Sequence, residues 1–420
     1  MAPPYLKFKK FPTDDFEWPA VGFDNPLPVA MAGSMASQFS EVLTAQRTPI
    51  LELNSSYGPS ALRYAKTETN GATVSASTTG EIQIATGTTS GAVGGLNSNR
   101  IGRYIPGAGA EIGVGTRQPN APTGDAVFRW GGRSPNGEEG FYFKRTASRL
   151  FVVRERGLSE IEVEQANWNI DRLDGTGASG VSIDLSNGAI GQIDFTWYGY
   201  GQILFGFVAS VSGQQQFIPC HSIDNQDFSG TSVQSPNLRL FVEVDAGTTT
   251  TNFDFFVGGM QYSVIGRYEP EFRYTSMFTT SSVSTSTTPV PLVSFRRKSG
   301  FENRTLGLAG VESIVTTEPH LLQVFLSPTL GGTPSWVDPT HATVAETALE
   351  ADVSATSFTD EGLLVWQELV PAGQANKGEF GGSRALDFDV PNGEVVTLAA
   401  RTVSGTGAVT TANLRMKELW

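Results

Sequence analysis

"IDFTWYGYGQILFGFV", residues 193–208, is the most apolar and aromatic run of the chain, and its reading decides the fold. It could be a membrane span, an aromatic platform for a ligand, or the middle of a β-sheet. Ile193, Phe195, Trp197, Ile203, Phe205 and Phe207 fall on odd positions, whereas Asp194, Thr196, Tyr198 and Gln202 fall on even ones. A period of two marks a strand with one buried face. A spanning helix needs about 20 nearly uninterrupted apolar residues and would not carry Asp194 near its start. The membrane reading therefore fails.

The alternation also survives passage through Gly199-Tyr200-Gly201. Residues that face each other in a hairpin share a sheet face, so their numbers sum to an even value. A three-residue loop at 199–201 meets that condition, with a glycine free to take positive φ. It pairs Trp197 with Ile203, Phe195 with Phe205, and Ile193 with Phe207; a single bent strand is the rival geometry. In either case the odd face reads as core, and Tyr198 and Tyr200 are assigned to the surface.

Working outward, the 420 residues suffice for two or three domains, each with its own core. Hydrophobic residues make up 39% and charged residues only 17%, with 47 Gly and 23 Pro, and helix-period blocks are hard to find. That balance predicts an all-β chain with many turns. The formal charge of −13 repels polyanions, so no nucleic-acid partner is expected. The basic clusters Lys7–Lys10 and Phe295–Lys298 are too short to change this. A single cysteine, Cys220, excludes an internal disulfide framework and a thiolate-rich metal site. The opening "MAPPYLKFKKFPTDDF" lacks an apolar run of signal-peptide length. Neither membrane insertion nor a cofactor or resident metal is expected.

Four segments follow from the punctuation. Residues 1–50 are Pro-rich with isolated aromatics, and read as an extended docking arm anchored by Phe11, Phe16, Trp18 and Phe23. Residues 51–270 repeat short strand-like runs between Gly, Asn, Ser and Thr turns, the pattern of a sandwich or jelly roll. "TSMFTTSSVSTSTTPVP" makes 271–290 a Ser/Thr-rich linker. Residues 291–420 return to strands and turns, predicting a C-terminal β-sandwich, with one helical turn expected in "DPTHATVAETALEAD" (338–352).

From about residue 130 to 260 the chain resembles a module of structural proteins of tailed bacteriophages. The likeness rests on "GFYF" (140–143), "RLFVVRER" (149–156), "WNIDRLDGTGASGVSIDLS" (168–186), the opening stretch, "IPCH" (218–221) and "SPNLRL" (235–240). "VPLVSFRRK" (290–298), "FLSPTLGGTPSWV" (325–337) and "DVSATSFTDEGLLVWQELV" (352–370) resemble the β-rich portion that follows in such proteins. The chain departs from that pattern at Gln202 and Leu204, where the family tends to carry basic residues, and at "SIDNQD" after "CH". The resemblance implies a concanavalin-like jelly roll and a virion component: a baseplate, fibre or adaptor subunit, with capsid decoration as a weaker alternative. Other virion proteins and copies of this chain would be its partners. It brings no catalytic residues.

Three motifs invite chemistry. "EIEVE" (160–164) sets Glu160, Glu162 and Glu164 on one strand face and resembles the E-[ILV]-D-x-E pattern of retaining β-glucanases, with Glu162 in place of Asp. Those enzymes need about 5 Å between nucleophile and acid, whereas Glu160 and Glu164 stand about 13 Å apart on an unbulged strand. An exposed polar face is the plainer account, and no enzyme is expected. "DGTGASG" (174–180) matches G-x-G-x-x-G but is followed by the alternating "VSIDLS", so it reads as a turn. Asp171, Asp174 and Asp184 there suit Asx-type bonding better than a Ca²⁺ site. Cys220 and His221 are adjacent and would point to opposite faces, remote in sequence from His320 and His341. For a glycan-binding or glycan-cleaving jelly roll, the alternative function, the stacking candidates are Tyr198, Tyr200, Trp130 and Trp168, with host surface glycan as ligand.

Overall fold

The computed structural model describes residues 47–147, 149–211, 213–266, 272–283, 288–302, 304–315, 318–339, 347–373, 375–379, 390, 393–403 and 408–419. The expected arm anchors Phe11, Phe16, Trp18 and Phe23, and also His341, lie outside the described residues.

The first part of the chain builds two antiparallel sheets. Its strands begin with β1 (Arg47–Asn54), β2 (Tyr64–Thr69), β3 (Thr73–Ala76), β4 (Ile82–Ala85) and β5 (Val93–Gly102). They continue with β6 (Gly109–Arg117), β7 (Val127–Arg133), β8 (Glu139–Arg145), β9 (Leu150–Arg156) and β10 (Ser159–Glu164). Then come β11 (Ala189–Phe195), β12 (Ile203–Val211), β13 (Gln214–Ile223), β14 (Leu238–Asp245) and β15 (Asp254–Ile265). An eight-stranded sheet runs β13-β12-β11-β6-β15-β4-β3 with β1 also on β15, and a seven-stranded sheet runs β10-β9-β8-β7-β14-β5-β2. Strands far apart in the chain, such as β6 and β15 or β5 and β14, are neighbours, so the ribbon folds back on itself as a jelly roll.

Aromatic side chains from both inner faces fill the space between the sheets. Phe195 lies 5.1 Å from Phe141, Phe143 lies 4.7 Å from Phe207, and Trp130 stacks on Phe143 at 5.6 Å. Gly191 makes that last stack fit, because a Cβ there would come within 2.9 Å of the Phe143 ring.

The opening stretch thus forms β11 and β12 with its odd face inward. Ile193, Phe195, Ile203, Phe205 and Phe207 are buried and Trp197 is half-buried. The register departs from the expected one: Phe195 pairs with Ile203 and Ile193 with Phe205, a shift of two residues. The connection is accordingly longer, 196–202 rather than 199–201, because pairing stops where Trp197 turns its indole N–H to Val233 O at 3.2 Å. A shift of two preserves the buried face, so both registers obey the same alternation.

The remainder forms a second sandwich. Its strands are β16 (Phe272–Val283), β17 (Val290–Arg297), β18 (Thr305–Val315), β19 (His320–Leu326), β20 (Thr329–Leu330) and β21 (Leu349–Asp352). After these come β22 (Phe358–Asp360), β23 (Leu363–Val370), β24 (Ala375–Glu379), β25 (Val395–Thr402) and β26 (Ala408–Leu419). A four-stranded sheet, β16-β26-β18-β24, and a five-stranded sheet, β21-β17-β25-β19-β23, share a core that includes Leu306, Leu322, Leu398 and Leu414.

Two segment boundaries move. Much of 271–290, expected as a linker, is β16, paired along its length with β26. Its Thr and Ser are compatible with a strand, and Thr275 and Met277 point inward while Tyr274 and Phe278 point out. Residues 47–50, assigned above to the arm, open β1 against β15. In 338–352 the described residues Leu349–Asp352 form strand β21, paired with β17, and residues 340–346, where the helical turn was expected, lie outside the described residues.

Candidate functional site

At one end of the first sandwich three connections meet: 103–108, 196–202 and 224–237. Tyr198 and Tyr200 stand on the middle one, 55% and 62% exposed. Their loop is pinned from beneath: Gly201 N donates to Trp197 O at 2.9 Å, and Ser232 N donates to Gly199 O at 2.8 Å. Tyr104 stacks on Phe195 at 6.0 Å and meets Trp197 edge-on at 6.2 Å, forming the floor. Tyr198 has φ +33°, a region that L side chains seldom adopt, followed by Gly199 at +85°. Such a backbone persists where surrounding bonds over-determine it, and it lays the Tyr198 hydroxyl against the 103–108 turn, where a Cβ on Gly107 would come within 3.1 Å of it. Two amphipathic rings on a held loop can stack on a planar or sugar-like face at small entropic cost.

The two tryptophans proposed with them do not join this surface. Trp130 is fully buried between the sheets, and Trp168 is 5% exposed with its indole N–H donated to Val163 O at 3.1 Å. The parity of "AVFRWGG" carries the signal for Trp130: it shares its face with Phe128, which packs on Phe253 and Phe255. Trp168 closes the apolar layer just beyond the 3₁₀ turn Gln165–Asn167, and its sequence offers no comparable cue.

The outer face of the seven-stranded sheet carries a lattice of charges. Arg129 pairs with Glu243 at 2.8 Å, and Arg133 with Glu155 at 3.1 Å. The Arg133 guanidinium also lies over the rings of Phe241 and Tyr142, 5.6 and 5.9 Å from their centres. "EIEVE" occupies the edge strand β10 of this sheet. Tyr142 Oη donates to Glu160 at 2.6 Å, and Lys144 bridges Glu160, at 2.9 Å, and Glu162. Burial opposes ionisation of both carboxyls. The Glu162 carboxyl, the Tyr142 hydroxyl and the Lys144 ammonium nevertheless bring Glu160 down, while burial and the Glu160 charge push Glu162 up. The two carboxyls share the Lys144 ammonium, which sits between them. A retaining glycosidase instead separates its pair by about 5 Å and leaves the gap for the sugar.

No protein-family model and no curated protein sequence matches the chain. Solved structures similar to it include a legume lectin-like domain from Entamoeba histolytica, 12% identical, with 52% of this chain and 98% of that one covered at a TM-score of 0.33. Another is an endo-acting O-glycanase of the human gut microbiota, 12% identical over 53% of this chain and all of the other, at a TM-score of 0.35. Peanut lectin is 11% identical over 52% of this chain and 98% of its own, at 0.30. Likenesses of this size bear on the fold at most, and no residue role is taken from them.

The remaining motifs resolve into structural bonding. Asp171 accepts from Leu173 N at 2.8 Å and Ser179 N at 2.7 Å, Asp174 from Thr176 N at 2.9 Å, and Asp184 from Ser186 N at 2.9 Å. Cys220 is in the core, and His221 Nδ1 accepts from Asn169 N at 3.1 Å. Among the described residues no three His, Cys, Asp or Glu are grouped to hold a metal ion. A cavity of about 210 Å³ between Arg145, Arg149, Gln165 and Asp184 is below the 300–1,000 Å³ range of ordinary ligand pockets.

One polar cluster escaped the sequence reading. Asp194 and Glu111 face each other across β11 and β6, and Gln192 Nε2 donates to Asp194 at 3.0 Å and to Glu111 at 3.2 Å. Arg47 pairs with Glu111 at 2.5 Å. Burial, and then the Glu111 charge, push the Asp194 carboxyl up to about 7. The available signal was Asp194 itself, a carboxylate inside the most apolar run of the chain.

Proposed function

We propose that this chain is a glycan-recognising β-sandwich protein, a binding subunit rather than a hydrolase. The observation that carries this reading is the Tyr198–Tyr200 loop: two exposed aromatic residues on a loop with a left-handed backbone at Tyr198, hydrogen-bonded from beneath. Sugars stack their apolar faces on such rings, and a held loop loses little freedom on binding. The absence of catalysis is part of the same reading. Glu160 and Glu162 are engaged with Lys144 and Tyr142, which leaves them poorly placed to attack and protonate a glycosidic bond.

The test is a glycan array followed by calorimetric titration of the best ligand. Tyr198→Ala and Tyr200→Ala are each expected to weaken binding about tenfold while the fold persists, since truncating one contact aromatic typically removes more than about 1 kcal/mol. An array blank at high protein concentration, or tyrosine variants that bind like the parent, would overturn it.

A second reading concerns assembly, and a different observation favours it. β16 and β23 are edge strands of the second sandwich. The first exposes Tyr274 and Phe278, the second Leu363, Leu364 and Leu369. Long edge strands with apolar side chains are the usual route by which sheets join other chains. This fits a subunit of a tailed-phage particle, the role implied by the sequence resemblance, in which the glycan would be a host-surface one. A chain that sediments as a monomer at every concentration would count against self-assembly.

A further inference from the structure

On the outer face of the seven-stranded sheet, Arg239 stands directly across from Arg133 in the register of β14 and β7. Cross-strand partners share a face with side chains about 5 Å apart at their base, and like charges in that position repel. Arg133 has partners, with Glu155 at 3.1 Å and Glu243 at 3.9 Å. Arg239 forms no close ion pair among the described residues, and Glu243 acts on it only at longer range. Its side chain is half-buried, and its Nε is fully buried with no acceptor. Burial first, and then the Arg133 charge, make its protonated form harder to hold, with Glu243 opposing.

A buried guanidinium N–H without an acceptor is costly, and folded proteins leave few of them unpaired. Its position is also specific. Arg239 is the second residue of β14, and Asn237 just before it accepts the Tyr104 backbone N–H at 2.9 Å. Arg239 therefore lies just beyond the 224–237 connection, which is joined to the 196–202 loop by the Ser232 N to Gly199 O bond. A guanidinium fork matches the two oxygens of a carboxylate or sulfate, and paired arginines can share one such group.

We infer that Arg239, backed by Arg133, binds the carboxylate or sulfate group of an acidic oligosaccharide whose sugar rings extend toward the tyrosine loop. The inference rests on the glycan reading above and names its ligand class: uronate or sulfate-ester sugars in preference to neutral ones. The net charge of −13 repels long polyanions at a distance. Discrimination must then be local, and short acidic oligosaccharides are the fitting probes.

The experiment titrates the full chain with hyaluronan and chondroitin sulfate tetrasaccharides and with maltotetraose, and follows thermal unfolding with free D-glucuronate, sulfate and glucose. The expected result is tighter binding, tenfold or more, of at least one acidic tetrasaccharide than of the neutral one, and the pattern across the two tells carboxylate from sulfate. Arg239→Gln should erase that preference, whereas Tyr198→Ala should weaken acidic and neutral ligands alike. Arg239 makes no bond in the fold, so Arg239→Gln should unfold at the same temperature as the parent or higher. A lower unfolding temperature would assign Arg239 a structural role and overturn the proposal. Equal binding of acidic and neutral sugars, or a preference surviving Arg239→Gln, overturns the inference and leaves the glycan reading intact. If no oligosaccharide binds, the glycan reading falls. If free glucuronate or sulfate then stabilises the parent and not Arg239→Gln, Arg239 is an anion site that takes no sugar, and the inference falls.

Discussion

At Asp194 the apolar ribbon admits a carboxyl group, and the surroundings determine its charge. Burial and the facing Glu111 raise its pKa to about 7, with Gln192 and Arg47 opposing. An unfolded Asp titrates near 3.9. Between these values the native chain holds a proton that the unfolded chain releases. The stabilisation is therefore complete below about pH 4 and is lost as pH rises through about 7. Glu111, also raised by burial, adds to the same trend. Asp194→Asn should remove most of this dependence: at pH 8 its first unfolding transition should lie above the parent's by the equivalent of about 2–4 kcal/mol, and near pH 4 the two should nearly coincide. Calorimetric scans at both pH values check this, and a variant destabilised at pH 8 would show that the ionised carboxylate supports the fold. The same scale shows what sequence could reveal: Asp194 is conspicuous in its run, but its partner Glu111 is not, because β6 meets β11 only in the folded sheet.

Strands were legible where a two-residue period decides them. The inward set of β11 and β12 follows from alternation alone, whereas Tyr198 and Tyr200 are exposed because they stand on the connection between the two strands. The hairpin register was not legible, since pairings two residues apart bury the same side chains, and the contacts of the connection, among them Trp197 with Val233 and Tyr104, form only in the folded sandwich. β16 was misread because Ser and Thr mark flexible connections as readily as half-buried strands, and pairing with β26 resolves the choice. That strand also bears a prediction. Phe278 is 57% exposed on it, and Phe278→Lys should lower any self-association seen by sedimentation while the unfolding temperature changes little. A self-association constant unchanged by the lysine would place the contact elsewhere.

At the scale of the molecule, each sandwich has a hydrophobic core of its own. One gathers the Phe, Trp and Tyr side chains between the first two sheets, and the other the Leu, Val and Met side chains between the second two. Separate cores favour separate cooperative units. Two calorimetric transitions are therefore expected. Trp130→Ala should destabilise the first by about 3–5 kcal/mol and leave the second nearly in place. A single transition moved as a whole by that change would show that the sandwiches unfold together.

By itself, the sequence determined that the chain is built of strands and which side chains of the aromatic ribbon point inward. These follow from the local geometry of an extended backbone, in which successive side chains alternate. Only the tertiary structure decided that Trp130 and Trp168 are core, that Glu160 and Glu162 share Lys144, and that Arg239 faces Arg133 without an acceptor. Each of these depends on which strands lie side by side or against each other. Strand order in a jelly roll is set by long-range packing of the whole chain, and no local period encodes it.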